Sequence, residues 1–192
     1  ESSASMNVTN LLQNGPNQLV LYQRDAGALV SGIIYSARFT ITPRYLCPPP
    51  GIGIAYCGPA VVNSSGGVGS ISAVGSTLAA SNDLILEANS LTTNAFAYFI
   101  TSRTQGFVTN PGGSAGNICL GGAIGRVVGG SILNSGAGGS VAVAANLNAL
   151  PQPTGPVTVV PGDTWNFQCW YRDVVGGVAT SNFTDALSVL FD

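Results

Sequence analysis

The chain has 192 residues, enough for one domain of ordinary size with a substantial core. Hydrophobic residues make up 45% of it and charged residues only 7%, against roughly 25% in typical soluble domains, and it contains neither lysine nor histidine. This balance excludes a disordered chain and predicts a surface built mainly from Ser, Thr, Asn, Gln and Gly. Without a basic run we expect no nucleic-acid partner, and without a bilayer-length apolar run we expect no membrane-spanning segment.

Short apolar runs separated by turn residues follow one another along the chain. Candidate strands at 18–24 and 33–42 precede a proline-rich loop, CPPPGIGIAYC, at 47–57. The chain starts at Glu1 rather than Met, so we expect a processed or excised polypeptide. Turn signals such as NPGG, SGAGG and PGD divide the later candidates, which are 69–76, 83–88, 95–102, 117–128, 139–147, 157–160, 164–172 and 184–191.

Many short strands without helical periodicity predict an all-β chain. We expect an antiparallel β-sandwich of jelly-roll or immunoglobulin-like type, stapled by disulfides. Residues 45–192 would form the sandwich. Residues 1–44 would be an N-terminal extension that contributes one or two strands.

The cysteines indicate an oxidising, extracellular location. Without a CxxC pair or a histidine, a zinc site is disfavoured and two disulfides are favoured. Three pairings are open. We prefer one bond that closes the proline-rich loop and one that joins two distant strand candidates, using Cys47–Cys57 and Cys119–Cys169.

The segment WNFQCWYRD (165–173) predicts a strand with two different faces. One face would join the core, and it carries Trp165, Phe167, Cys169 and Tyr171. The other face is polar apart from a tryptophan, which is typical of a sugar-stacking platform or an interface hot spot. Alternatively, a loop or residues 1–44 cover that tryptophan, with the arginine stacked on it and paired to an acid. The candidate binding or interface residues are Trp170, Asn166, Gln168, Arg172 and Tyr98.

Catalysis is not expected. Without histidine there is no Ser-His-Asp or Cys-His arrangement, and without lysine there is no Schiff-base or Ser-Lys route. We therefore predict no catalytic residues and no enzyme. A structural calcium ion is the one cofactor weighed, although no EF-hand spacing supports it. Its ligands would be Asp83, Asp163, Asp173 and Asp185.

From about Tyr56 to residue 191 the chain resembles an uncharacterised secreted module that closes large extracellular multidomain proteins of planctomycete-type bacteria. The matching pieces include YCGPAVVNSSG (56–66), NAFAYFITSRTQGFVTNPGGSAGNICLGGAIGR (94–126) and PQPTGPVTVVPGDTWNFQCWYRD (151–173). The resemblance implies secretion and a β-rich fold, and it brings no catalytic residues. The chain has Ala97 where the module often has glycine, and it lacks the cysteine that the module usually has just after the final strand. The second departure leaves Cys169 to pair with Cys119.

Two functions are consistent with these features. The first is a non-catalytic structural or assembly subunit at the cell surface, because few charges oppose close packing with copies of itself or with other surface proteins. In that case residues 1–44 could add a strand to a neighbour. The alternative is a carbohydrate-binding module associated with a secreted enzyme, with a glycan bound around Trp170.

Overall fold

The computed structural model describes residues 51–127 and 132–192. The expectations for residues 1–44, for Cys47 and for the strands at 18–24 and 33–42 lie outside these residues.

Within the described residues the regular structure consists of short and medium strands and two single-turn 3-10 helices, Ala79–Ser81 and Pro111–Gly113. The strands are β1 (Ile54–Tyr56), β2 (Ser70–Val74), β3 (Ile85–Asn89), β4 (Phe96–Ser102), β5 (Thr104–Thr109), β6 (Asn117–Gly121), β7 (Gly125–Val127), β8 (Leu133–Asn134), β9 (Val141–Ala144), β10 (Thr164–Val175) and β11 (Val178–Leu190).

These strands form three antiparallel sheets. The large sheet has six strands in the order β1-β11-β10-β4-β7, with β8 also paired to β4. A second sheet has the order β2-β3-β9, and β5 with β6 makes a separate hairpin. The predicted all-β antiparallel sandwich is confirmed.

The main core lies between the large sheet and the β2-β3-β9 sheet. It collects side chains from alternate positions of strands in both sheets, as expected where one face of each strand is buried. The predicted core face of β10 is confirmed. The largest fully buried members of the main core are Trp165, Tyr171, Phe99, Phe167, Phe191, Leu84 and Leu86.

The β5–β6 hairpin covers part of the opposite face of the large sheet, so the fold has a third layer. A second, smaller apolar cluster lies beneath the hairpin, formed by Ile100, Cys119, Leu120, Phe183 and Ala186. Strand β10 therefore has packed layers on both sides over much of its length.

Several strand predictions need correction. The part of the predicted run that the structure describes, 117–127, forms two strands, β6 and β7. The chain turns between them at Gly122, whose φ of 63° favours glycine. The run 157–160 forms no strand and makes only a bridge between Val157 and Leu150. Strand β5 was not predicted.

A β-bulge between β10 and β11 keeps the final strand in the core. The pairing shifts from Trp170 opposite Phe183 to Gln168 opposite Ala186, so β11 gains one residue there. One extra residue reverses the alternation of a strand. Leu187, Val189 and Phe191 consequently face the main core, whereas Phe183 faces the outer cluster.

The predicted disulfide pairing is wrong. Cys57 is bonded to Cys119, and Cys169 is a buried free thiol. The physical reason is the side of the sheet on which each cysteine lies. Cys169 belongs to the main core, whereas Cys119 lies in the outer cluster on the opposite face, so a bond between them would have to cross the sheet. The observed bond ties the chain after β1 to β6.

We expect the double variant Cys57→Ser/Cys119→Ser to lose about 4 kcal/mol of unfolding free energy, since the bond closes a long loop with a sequence separation of 62. Urea unfolding under non-reducing conditions measures this loss. Cys169→Ala is the control, with an expected loss of about 1 kcal/mol for a small cavity.

In a non-reduced tryptic map, peptide 104–126 should be linked to 45–103; a link to 127–172 would contradict the pairing.

Candidate functional site

Three of the five candidate binding residues meet on the outer face of the large sheet. Trp170 on β10 lies directly opposite Tyr98 on β4, and their rings stack with centroids 4.7 Å apart and an interplanar angle of 23°. The guanidinium carbon of Arg172 lies 5.7 Å from the Trp170 ring centroid. On the other side, that of Arg126 on β7 lies 5.2 Å from the Tyr98 ring centroid. We call these four side chains the aromatic–arginine ladder.

The ladder lies at the border between the outer cluster and solvent. Trp170 and Tyr98 are half-buried and pack against the cluster, whereas both arginines are exposed. Sequence reasoning missed Arg126, which is the single charged residue of a short strand rich in glycine and valine. Its partnership with Tyr98 depends on β7 pairing with β4, and no local pattern indicates that pairing.

The ladder leaves little free ring face for a neutral sugar. Trp170 is contacted by Tyr98 and Arg172, and Tyr98 is also contacted by Arg126. The arginine predicted to stack on the tryptophan does so, but it makes no ion pair with an acid of the described residues. The ladder therefore presents guanidinium groups and ring edges to solvent.

The other two candidates, Asn166 and Gln168, are buried and hold the β5–β6 hairpin. The Gln168 side chain accepts a hydrogen bond from the Cys119 backbone N–H at 2.9 Å and donates to the carbonyls of Asn117 at 3.0 Å and Thr184 at 2.7 Å. The Asn166 side chain donates to the Ser102 carbonyl at 3.3 Å, and its oxygen accepts a bond from an exposed glutamine on β5. These amides are therefore satisfied internally rather than available to a ligand.

A buried carboxylate, Asp173, organises the loops at one end of the sandwich. It accepts hydrogen bonds from the backbone and hydroxyl of Ser64, from the Thr92 hydroxyl and from the Val174 backbone, while Asn182 donates to its second oxygen. Burial by itself would raise the pKa of Asp173, but the bonds from Ser64, Thr92 and Val174 outweigh it and hold the pKa below its usual value. The carboxylate is thus a structural hub rather than a general base.

Burial also raises the pKa of several other titratable groups. It raises the pKa of Tyr56 to about 12 and that of Tyr171 to about 12. The same effect raises the pKa of the Cys169 thiol, which makes it an inert core residue. Burial also raises the pKa of Asp185, partly offset by a hydrogen bond from the Ile71 backbone.

The four aspartates considered for calcium have separate partners. Asp83 accepts the Ser76 backbone N–H, and Asp163 is ion-paired with Arg103 at 2.8 Å. Across residues 51–127 and 132–192, no group of three or more His, Cys, Asp or Glu side chains is placed to hold a metal ion.

Fold and site define this chain as a disulfide-linked, three-layered antiparallel β-sandwich with a cationic aromatic ladder on its outer face. No family model, curated protein or solved structure matches it. In the part of the chain that the structure describes, no helix combines the length and apolar character needed to cross a membrane.

We expect Gln168→Met to lower the unfolding free energy by about 3 to 5 kcal/mol. Methionine fills a similar volume but leaves the backbone groups of Cys119, Asn117 and Thr184 without partners in a buried layer. Urea unfolding gives the value. Gln152→Met is the matched control, because this half-buried residue makes a single local side-chain bond, to the Pro151 carbonyl, and should lose less than about 1 kcal/mol. Equal losses in the two variants would contradict the role of Gln168.

We expect Asp173→Asn to lose about 2 to 3 kcal/mol at pH 7, because the amide cannot replace a carboxylate that accepts bonds from several donors. The folded-state pKa is below the unfolded value of about 3.9, so the carboxylate stabilises the fold above about pH 4. That contribution is lost as pH falls through the folded-state pKa. The difference in unfolding free energy between the wild type and the variant should therefore decrease there.

Asp185→Asn is the control for this pH series. The raised pKa of Asp185 means that its charge opposes folding at neutral pH, so removing the charge should cost no stability at pH 7. Denaturant unfolding of the three proteins between pH 3 and pH 7 (a range chosen around the unfolded value of about 3.9) measures both effects. A loss for Asp173→Asn that does not vary with pH would contradict the assignment.

Proposed function

We propose that this chain is a non-catalytic structural module, secreted to the cell surface, that assembles with copies of itself or with neighbouring surface proteins. The observation that carries the proposal is an apolar tip on the long hairpin formed by β10 and β11. The tip joins β10 to β11 and exposes three valines to solvent.

The tip is a two-residue turn. Val175 pairs with Val178 across Gly176 and Gly177, whose φ values of 57° and 81° match the turn that suits the twist of a hairpin. The exposed fractions are 44% for Val174, 54% for Val175 and 69% for Val178. A cluster of this kind at the end of a well-formed hairpin is typical of an interaction surface rather than of isolated exposed residues.

A shallow groove of about 290 Å³ runs beside the tip. It contains small and apolar side chains of the hairpin and of the loop before β6, and no charged residue: Gly113, Ala115, Val175, Val178, Ala179 and Thr180. A hairpin tip from a second copy has the size and apolar character to lie against such a groove. Groove and tip together supply a self-complementary patch, as symmetric association requires.

Low charge supports association further. The net charge is −2, and the Arg103–Asp163 pair is the sole ion pair among the residues that the structure describes. Two copies would therefore meet little electrostatic repulsion. The secreted location is supported by the Cys57–Cys119 disulfide, because such bonds persist in oxidising compartments, and it agrees with the resemblance to a secreted bacterial module.

A carbohydrate-binding role is the second candidate, and the aromatic–arginine ladder favours it. The rings are half-buried and the arginines exposed, which is a polar, aromatic surface suited to a glycan that carries charge. This role and assembly use different residues, and one protein can perform both.

We expect Val175→Thr/Val178→Thr to weaken self-association roughly tenfold, since each added hydroxyl must be desolvated in the interface while threonine retains the size and strand preference of valine. Sedimentation velocity over a concentration series measures the dissociation constant. Val160→Thr, at a residue that is 50% exposed in a different loop, is the control and should associate like the wild type. A wild-type protein that stays monomeric at its highest soluble concentration would count decisively against assembly.

A further inference from the structure

We propose that the aromatic–arginine ladder binds an acidic polysaccharide, a polymer of sugar rings that carry carboxylate groups. This inference gives a ligand to the second candidate function, and it does not depend on assembly through the hairpin tip.

The ladder holds two guanidinium groups in a geometry suited to carboxylates. Arg126 is stacked over Tyr98 at 5.2 Å and Arg172 over Trp170 at 5.7 Å, so each group is oriented by a ring. A guanidinium that stacks through its face keeps the N–H donors in its own plane, where a carboxylate accepts two parallel hydrogen bonds. Both arginines lie over a ring, and this arrangement is compatible with donors that remain available to a carboxylate.

Charge around the ladder favours an anion. Neither Arg126 nor Arg172 forms an ion pair with any carboxylate in residues 51–127 and 132–192, whereas Arg103 does so with Asp163. The carboxylate nearest in sequence, Asp173, lies on the opposite face of β10 and is buried by its own hydrogen bonds. An incoming anion thus meets two positive charges that no carboxylate of the described residues neutralises by an ion pair.

The spacing favours a polymer over a single small anion. Each arginine lies over a different ring, and strand β4 separates Arg172 on β10 from Arg126 on β7. A chain with repeated carboxylates can contact both, and the second contact then forms at high effective concentration.

An apolar ring next to the ladder favours a sugar polymer over an acidic peptide. Phe96 precedes Tyr98 by two residues on β4, so it lies on the same face of the sheet, and it is 56% exposed. A sugar ring offers an apolar C–H face to such a side chain while its carboxylate reaches a guanidinium. A flexible polyglutamate carries the charge but has no ring to cover the phenylalanine, and more conformational freedom is lost when it binds.

Affinity electrophoresis of the full chain in native gels tests the proposal. The gels contain polygalacturonate, neutral dextran, dextran sulfate or polyglutamate, each at low and at high salt. The variants are Arg126→Gln, Arg172→Gln and the two combined, with Arg103→Gln as a control that removes the same charge from a different part of the surface. Phe96→Ala tests the sugar contact, and thermal unfolding of every variant shows whether it is folded.

Polygalacturonate is expected to retard the wild type, and neutral dextran is not. Each single arginine variant should raise the dissociation constant roughly tenfold and the double variant should abolish retardation, while Arg103→Gln binds like the wild type. Added salt should weaken binding. A lysine variant, Arg172→Lys, keeps the charge but loses the planar fork, so it should bind several-fold more weakly than the wild type.

Four results would overturn the proposal. They are no retardation by polygalacturonate, equal retardation of the wild type and a folded double variant, stronger retardation by polyglutamate, and retardation by dextran sulfate alone. The third result would point to an acidic protein as partner, and the fourth to a sulfated polymer. Monomeric behaviour in sedimentation would refute assembly and leave this test unaffected.

Discussion

The fully buried amide of Gln168 is the interaction on which the arrangement of the layers depends. It lies on the central strand β10 between the large sheet and the β5–β6 hairpin, where no water replaces a lost partner. An unpaired amide in such a place costs several kcal/mol, so the hairpin must lie where its backbone satisfies the side chain. The bonds to Cys119 and Asn117 meet this requirement and set the position of β6 on the sheet. The third bond, to Thr184, joins the same amide to the bulge in β11.

The bulge and the disulfide follow from that placement. At the bulge the regular ladder is interrupted, and the Thr184 hydroxyl replaces the missing partner by accepting the Cys169 N–H at 3.0 Å. The extra residue moves Leu187 and Val189 of β11 to the main core. With β6 held by Gln168, Cys119 lies within a Cα–Cα distance of 6.3 Å from Cys57, which suits a disulfide. The covalent bond thus reinforces a contact that hydrogen bonds already define.

The local sequence pattern predicted the two faces of strand β10 correctly, but it did not predict which elements pack against them. The alternation in 164–172 correctly separated the core face of Trp165 and Phe167 from the outer face of Trp170. It could not show what covers the outer face, because that depends on β5, which has no strong alternation and includes a glycine. For the same reason the amides looked available to a ligand. The cysteine pairing was wrong because a sequence does not show on which side of a sheet each thiol lies. Arg126 was missed because its neighbour comes from β4.

The position of the ladder follows from the packing of other layers against both faces of the central strand β10. The hairpin covers the outer face of β10 over Asn166 and Gln168, and Trp170 lies at the edge of that cover. A tryptophan at such an edge has one part packed on apolar side chains and another part exposed. Tyr98 stacks on its ring and the Arg172 guanidinium lies over it without burying a charge. Arg172, which contacts Trp170, and Arg126, which contacts Tyr98, therefore also give this edge its positive charge. Stability and recognition of an anion are consequences of the same four side chains, so selection for either one would retain both arginines.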